Sequence, residues 1–153
     1  MLKLIRPLSL PSTYTLVPLR LLTGTGFLLH GLAKLNRGPA KFGALLRYTG
    51  VPFPLHTAWA VTLLEIFGGI ALIVGAFVTI VSIPLIISML VAMLSLQIHY
   101  GFSAVNTIGL TPTGPVFGPP GYEINLLYIT ALIALALSGP TAFSIDRLLT
   151  PRS

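Results

Sequence analysis

The chain has no cysteine, little charge and very few acidic residues. Without cysteine, this subunit has no disulfide, no thiolate nucleophile and no cysteine-ligated iron–sulfur cluster. Charged residues make up 8% of the chain and hydrophobic residues 54%, with a mean hydropathy of +0.93. Soluble domains carry about 25% charged residues. We therefore expect a protein whose solvent is largely lipid, in which redox chemistry would need a bound cofactor or substrate.

Four apolar blocks account for most of the sequence. They are roughly Leu16–Leu35, Ala58–Phe77, Thr79–Ile98 and Tyr122–Ser138. Each is near the ~20 residues that cross a ~30 Å hydrocarbon layer as a helix. Because lipid offers no hydrogen-bond partner to the backbone, the spans are predicted to be helices. The expected fold class is all-α, with residues 1–153 forming one membrane domain, a polytopic four-helix bundle.

Four spans would place both ends of the chain on one side, here called the terminal side. The opposite side, the loop side, would receive the connections 36–57 and 99–121. Residues 36–50 place apolar side chains at helical spacing between basic ones, which predicts a short interfacial helix in the first loop. The first apolar run is long and contains Arg20, so we interpret it as a retained helix rather than a cleaved signal.

Basic residues flank the predicted spans. Nine lysines and arginines oppose three acidic residues, for a net charge of +6. No basic groove interleaved with aromatic residues is present, which argues against nucleic acid as a partner. We expect these side chains to contact lipid head groups. Eight of the nine cluster near the ends of the spans, at Lys3, Arg6, Lys34, Arg37, Lys41, Arg47, Arg147 and Arg152.

Several polar side chains are predicted to meet at the loop-side half of the bundle. An ionisable side chain within a span costs roughly 2.5–3.5 kcal/mol on insertion scales, so each needs a reason. Glu65 and His30 are predicted at similar depth, and we assign them the catalytic, proton-handling role. The predicted ligand-binding residues around them are Lys34, Gln97, His99 and Glu123.

Structural interpretations of the same residues stay open. Glu65 could be a buried carboxyl satisfied by His30, Lys34 or backbone, without chemistry. Arg20 lies toward the terminal side, where we predict a structural role, either snorkelling or pairing with Asp146. The spacing indicates no metal site, and His99 stands too near its helix end to favour haem ligation with His30.

A series of short motifs follows the whole chain. After Arg20 they are FLLHGLAKL at 27–35, GVP at 50–52, EIFGG at 65–69, HYGF at 99–102, GYEINLL at 121–127, SGP at 138–140 and FSIDRLL at 143–149. In order and spacing they closely resemble the DoxX family, with Ala104–Pro120 longer than that pattern leads us to expect. The resemblance implies a four-helix bundle in the prokaryotic plasma membrane.

The resemblance also implies an association with quinone-linked oxidation, as in thiosulfate:quinone oxidoreductase subunits. Other members of the family are accessory subunits of membrane complexes that contain superoxide dismutase and a sulfurtransferase and resist oxidative stress. Many relatives carry only a general oxidoreductase label. The family therefore indicates a fold more firmly than a reaction.

Three functions follow as expectations. The first is an oxidoreductase subunit that binds a quinone or similar lipophilic redox molecule, with no covalent cofactor. Its electrons would come from a soluble redox partner protein or a soluble reductant. The second is a non-catalytic membrane anchor or assembly subunit that recruits a soluble redox enzyme. The third is a small transporter, for which four helices give a narrow path unless the chain forms a homo-oligomer.

Overall fold

The computed structural model describes residues 11–150, so the basic residues Lys3, Arg6 and Arg152 lie outside the described range. Seven helices and a two-stranded sheet follow one another within that range. The helices are α1 Ser12–Thr15, α2 Val17–Arg37, α3 Pro39–Tyr48, α4 Pro54–Val74, α5 Val78–Ser95, α6 Glu123–Leu137 and α7 Ile145–Leu149. The strands are β1 Thr107–Thr111 and β2 Gly114–Phe117.

Three helical segments of the described chain are long and apolar enough to cross a membrane. They are Thr13–Arg37, Pro54–Val74 and Val78–Ser95, with mean hydropathies of 1.3, 1.9 and 2.4. These segments correspond to the first three predicted spans. The fourth predicted span corresponds to α6, which is apolar but has only 15 residues.

The spans begin and end at different residues from those predicted. Helix α4 begins at Pro54 rather than near Ala58, because proline suits the first helical position, where its missing N–H is not needed. Helix α5 ends at Ser95 rather than near Ile98, and a 3-10 turn, Gln97–Tyr100, follows it. Gln97 and His99 therefore lie outside the regular helix.

Helices α2 and α4 pack with their backbones in close contact. A Cβ added to Gly69 would lie 2.5 Å from the Leu28 nitrogen and 2.7 Å from the Gly24 carbonyl oxygen. Similarly, a Cβ added to Gly31 would lie 2.8 Å from the Ile66 nitrogen. Small residues at such positions let helices approach in lipid, where packing is the main attraction between them.

The other helices complete the core around this pair. Helix α5 packs on α6, and α3, the helix predicted in the first loop, packs on α4. The buried apolar cluster draws on α2, α4, α5 and α6. Its members are Phe27, Leu72, Leu85, Met89, Ile129 and Leu132.

A β-hairpin occupies the second loop, where the all-α prediction placed only irregular chain. Strands β1 and β2 are antiparallel, with Gly109 opposite Val116 and Thr111 opposite Gly114. Pro112 and Thr113 form the connecting turn. Threonine and isoleucine suit strands, so the segment before this turn carried a strand signal. The hairpin falls within Ala104–Pro120, the stretch that is longer than the DoxX pattern.

Candidate functional site

An ion pair joins α2 and α4 in the loop-side half of the molecule. The ammonium group of Lys34 donates to both carboxylate oxygens of Glu65. The Glu65 side chain is 1% exposed and that of Lys34 is 25% exposed, so one partner is inside and the other reaches the surface. The Lys34 nitrogen also lies 5.0 Å from the centre of the Phe42 ring on α3. The pair therefore links three helices.

Glu65 lies deeper than the sequence suggested. Because α4 begins at Pro54, Glu65 stands about three turns from the loop-side end of that helix. Lys34 lies in the last turn of α2. The long Lys34 side chain reaches from the last turn of α2 to the deeper Glu65 carboxylate. A histidine side chain at position 34 would be too short to do so.

His30 faces α6 rather than the buried carboxylate. Its side chain is exposed, and its ring centre lies 5.9 Å from that of Tyr128. Tyr128 also packs edge-on against Phe27, with ring centres 5.1 Å apart. The structure thus places the two predicted proton-handling residues on separate contacts, Glu65 with Lys34 and His30 with Tyr128.

Tyr128 is a residue that the sequence analysis missed. A Cβ added to Gly26 would lie 2.0 Å from the Tyr128 hydroxyl oxygen, so the phenol reaches α2 across a glycine. The signal was the second of the two tyrosines in the fourth apolar block, five residues after Glu123 and three after Asn125. Its position adds a phenol ring beside the His30 ring.

Glu123 and Asn125 hold parts of the fold together. The Glu123 carboxylate accepts a hydrogen bond from the Ala104 N–H at 2.8 Å, which ties the base of the second loop to the start of α6. Asn125 is buried, and its amide donates to the Met89 carbonyl oxygen at 3.3 Å. Neither contact includes Glu65 or His30.

Gln97 and His99 lie in the 3-10 turn after α5. The side-chain oxygen of Gln97 is buried and has no hydrogen-bond partner in the described part of the chain. His99 is exposed and lines an open groove with Tyr48 of α3 and Ser95 of α5. In the described part of the chain, the predicted site residues thus form separate contacts around the loop side: Lys34 with Glu65, His30 with Tyr128, and Glu123 with Ala104.

On the terminal side, Arg20 binds the end of α4 and the segment that follows α6. It is 1% exposed, and its guanidinium donates to the Thr141 hydroxyl at 2.5 Å and to the Phe143 carbonyl at 2.8 Å. Longer bonds of 3.4 Å reach the carbonyl oxygens of Ile73 and Ala142. The bond to Ile73 satisfies one of the free carbonyls at the end of α4.

Asp146 does not form the predicted ion pair with Arg20. Its carboxylate accepts hydrogen bonds from the N–H groups of Phe77 at 2.7 Å and Val78 at 2.9 Å, at the start of α5. Free N–H groups and the positive end of the helix dipole both favour a carboxylate there. Arg20 and Asp146 thus fix the same C-terminal segment through different partners.

Clefts near these residues are open rather than enclosed. Two are on the terminal side, one beside Tyr14 and Arg147 and the other beside Phe77 and Asp146. The third is the groove beside His99. Lys34, Glu65 and His30 line none of these three clefts.

The sequence model of the DoxX family matches residues 15–100. The chain belongs to the DoxX family. The matched part of this DoxX protein runs from α1 to the 3-10 turn and includes His30, Lys34, Glu65, Gln97 and His99. Family membership and the apolar helices together indicate an integral membrane protein. Comparison with curated proteins and with solved structures finds no significant match to either.

Proposed function

We propose that this DoxX protein crosses the prokaryotic plasma membrane four times, with α6 as the fourth span and α3 lying at the membrane interface. Helix α6 is apolar throughout and contributes Ile129 and Leu132 to the core shared with the three longer helices. Helix α3 begins where α2 ends and carries Lys41 and Arg47 on exposed positions. Basic residues at such a position favour lipid head groups.

Within that bundle, the proposed function is that of an oxidoreductase subunit that binds a quinone or similar lipophilic redox molecule. The observation that carries this proposal is the Lys34–Glu65 pair beside the His30–Tyr128 contact. Intramembrane ionisable groups are costly and are typical of ligand and proton sites. Imidazole and phenol groups supply the hydrogen bonds that a quinone head group needs for its two carbonyl oxygens. The lipid-facing position of His30 suits a ligand that arrives from the bilayer.

In this proposal, ligand binding and proton transfer fall to different side chains. His30 and Tyr128 would hold the head group, since both are donors near the lipid-facing surface. The Lys34 ammonium group would donate a proton toward the ligand and would be protonated again from the loop side, because the Lys34 side chain is partly exposed. Glu65 would handle the charge of this proton transfer, since both of its carboxylate oxygens accept from the ammonium group. When bound, a quinone supplies two-electron, two-proton redox chemistry, with electrons from a soluble redox enzyme or reductant.

Gln97, His99 and Glu123 would act at the rim of the site. Glu123 would position the second loop through its bond to Ala104. The unpartnered oxygen of Gln97 offers an acceptor near the loop side, and His99 adds an exposed imidazole beside it. Their roles would be orientation and gating.

Mass spectrometry of organic extracts tests the proposal. Wild type would be compared with Glu65→Gln, which keeps the volume of the side chain, and with His30→Ala, each at equal yield of folded protein. His56→Ala is the matched control, because His56 is an exposed histidine at the start of α4. We expect a redox lipid in wild type and His56→Ala but not in the other two. Equal retention in all four, or no redox lipid in any, would contradict the proposal.

The second candidate is a non-catalytic membrane anchor or assembly subunit that recruits a soluble redox enzyme. Both Glu65 oxygens already bind Lys34, as a purely structural pair would. Absence of redox lipid, together with a soluble redox enzyme cross-linked to the loop side in native membranes, would favour this candidate. The transporter and the homo-oligomer it needs remain predictions from the sequence.

A further inference from the structure

The hairpin of β1 and β2 exposes large apolar side chains that no helix covers. Leu110 is 82% exposed, Ile108 63% and Phe117 62%. All five residues of β1 are exposed, and the two strands pack chiefly on each other. An apolar surface of this kind on a small protein indicates an interaction site.

The sequence around the hairpin carries no charge at all. Residues 100–122 contain no aspartate, glutamate, lysine, arginine or histidine. The next charged residue, Glu123, turns its carboxylate inward to the Ala104 N–H. The rim of an interface with a soluble partner is polar. This segment offers such a rim no charged side chain, and apolar and small residues make up most of it.

The base of the hairpin is fixed at the loop-side ends of α5 and α6. Hydrogen bonds of 2.9 Å from the Gly121 N–H to the Ser103 oxygen and 3.0 Å from the Tyr122 N–H to the Gly101 oxygen close this base. A Cβ on Gly121 would lie 2.1 Å from the Gly101 oxygen, so the two chain segments touch. The hairpin therefore starts at the level where the helices leave the membrane.

Helix α6 is short, which would place the bilayer surface near the base of the hairpin. Its 15 residues span about 22 Å, less than the ~30 Å hydrocarbon layer. A short span draws the flanking segments toward the membrane. The segment before α6 is the hairpin and its base, so a short fourth span would bring the apolar side chains of the hairpin close to the bilayer.

We propose that residues 104–118 form a membrane-interface element that docks on the same bilayer through Ile108, Leu110 and Phe117. The outer edges of the two strands keep free N–H and C=O groups, which need water or head groups as partners. The hairpin therefore lies at the boundary between head groups and acyl chains rather than within the hydrocarbon core. This inference is independent of the quinone proposal and rests only on α6 crossing the membrane.

The cysteine-free chain allows a direct test with single labelled cysteines. Leu110→Cys and Phe117→Cys would each carry an environment-sensitive NBD label in full-length protein in phospholipid nanodiscs. Both side chains are largely exposed, so neither change removes core packing. Leu127→Cys on the exposed face of α6 gives the lipid reference, and NBD-labelled glutathione gives the aqueous one.

We expect both hairpin labels to be quenched by doxyl-labelled lipid and to show severalfold weaker iodide quenching than the glutathione adduct. Iodide quenching equal to that of the adduct, with Leu127 in lipid, would overturn the proposal. Protection from iodide only in native membranes would indicate a protein partner and also overturn it. Protection in nanodiscs without quenching by doxyl lipid would indicate a second copy of the chain, with the same consequence. If doxyl lipid does not quench the Leu127 label, α6 does not cross the membrane, and the proposal is overturned as well.

Discussion

Lys34 donates to both carboxylate oxygens of Glu65 and so joins the last turn of α2 to the middle of α4. The carboxylate is almost fully buried, whereas the Lys34 side chain is partly exposed and its ammonium group lies near the Phe42 ring. A buried charge with a single partner depends strongly on that partner. Removal of Lys34 alone should therefore destabilise the protein, because it leaves the Glu65 carboxylate buried without its partner.

The first prediction concerns the coupling within this pair. Lys34→Met should lower the free energy of unfolding by up to ~3 kcal/mol, because it leaves the Glu65 carboxylate buried without a partner. The double variant Lys34→Met with Glu65→Leu should be more stable than Lys34→Met alone. Thermal unfolding in detergent measures both. Additive losses in the double variant would show that the two side chains act independently.

Arg20 is predicted to hold the C-terminal segment against α2 and α4. Arg20→Met should cost about 1–3 kcal/mol for each buried acceptor left without a donor. Hydrogen exchange should rise in residues 138–149, while Arg147→Met, at an exposed position, should leave it unchanged. Exchanging Arg20 and Asp146 should not restore protection, since a carboxylate at position 20 would face carbonyl oxygens. Recovery in the exchanged variant would contradict this assignment.

Asp146 is predicted to stabilise the start of α5. Asp146→Ala should destabilise the protein by roughly 0.5–2 kcal/mol, the usual effect of losing a side-chain cap. The amide protons of Phe77 and Val78 should exchange faster, because both lose their acceptor. Asp146→Asn keeps one carbonyl oxygen and should recover part of the loss. No change at these two amides in Asp146→Ala would disprove the capping role.

Gly69 is predicted to be intolerant of any side chain. Gly69→Ala should cost about 1–3 kcal/mol, since its Cβ would push on the Leu28 and Gly24 backbone. Gly109→Ala in the hairpin is the control, because nothing lies within 4 Å of the added Cβ. Melting temperatures of the two variants provide the comparison. Equal melting temperatures would mean that α2 and α4 separate at little cost.

The predictions from sequence succeeded where a residue acts through its own chemistry and its neighbours along the chain. Hydropathy located the first three spans because burial in lipid depends on each segment alone. Helical spacing located the helix in the first loop, now Pro39–Tyr48. The exact start of α4 differed because Pro54 begins a helix as readily as it ends one.

The candidate site was harder to predict, because each partner depends on how helices are rotated and offset. His30 and Lys34 lie four residues apart on nearly the same stripe of α2, and both were candidate partners for Glu65. In the structure, Lys34 binds the Glu65 carboxylate, and the His30 ring contacts the Tyr128 ring. A Cβ on Gly31 would touch the Thr62 and Ile66 backbone, so His30 lies at the level of Glu65, and the direction in which each side chain points decided between them.

By itself, the sequence determined that this protein is a helical membrane protein of the DoxX family, because composition, hydropathy and motif order are properties of the chain alone. Only the tertiary structure decided that Arg20 binds carbonyl oxygens while Asp146 caps α5, and that the second loop forms a hairpin. Those contacts join residues far apart in sequence. The close approach of α2 and α4 at Gly24 and Gly69 is likewise a contact between distant residues, which no local pattern predicts.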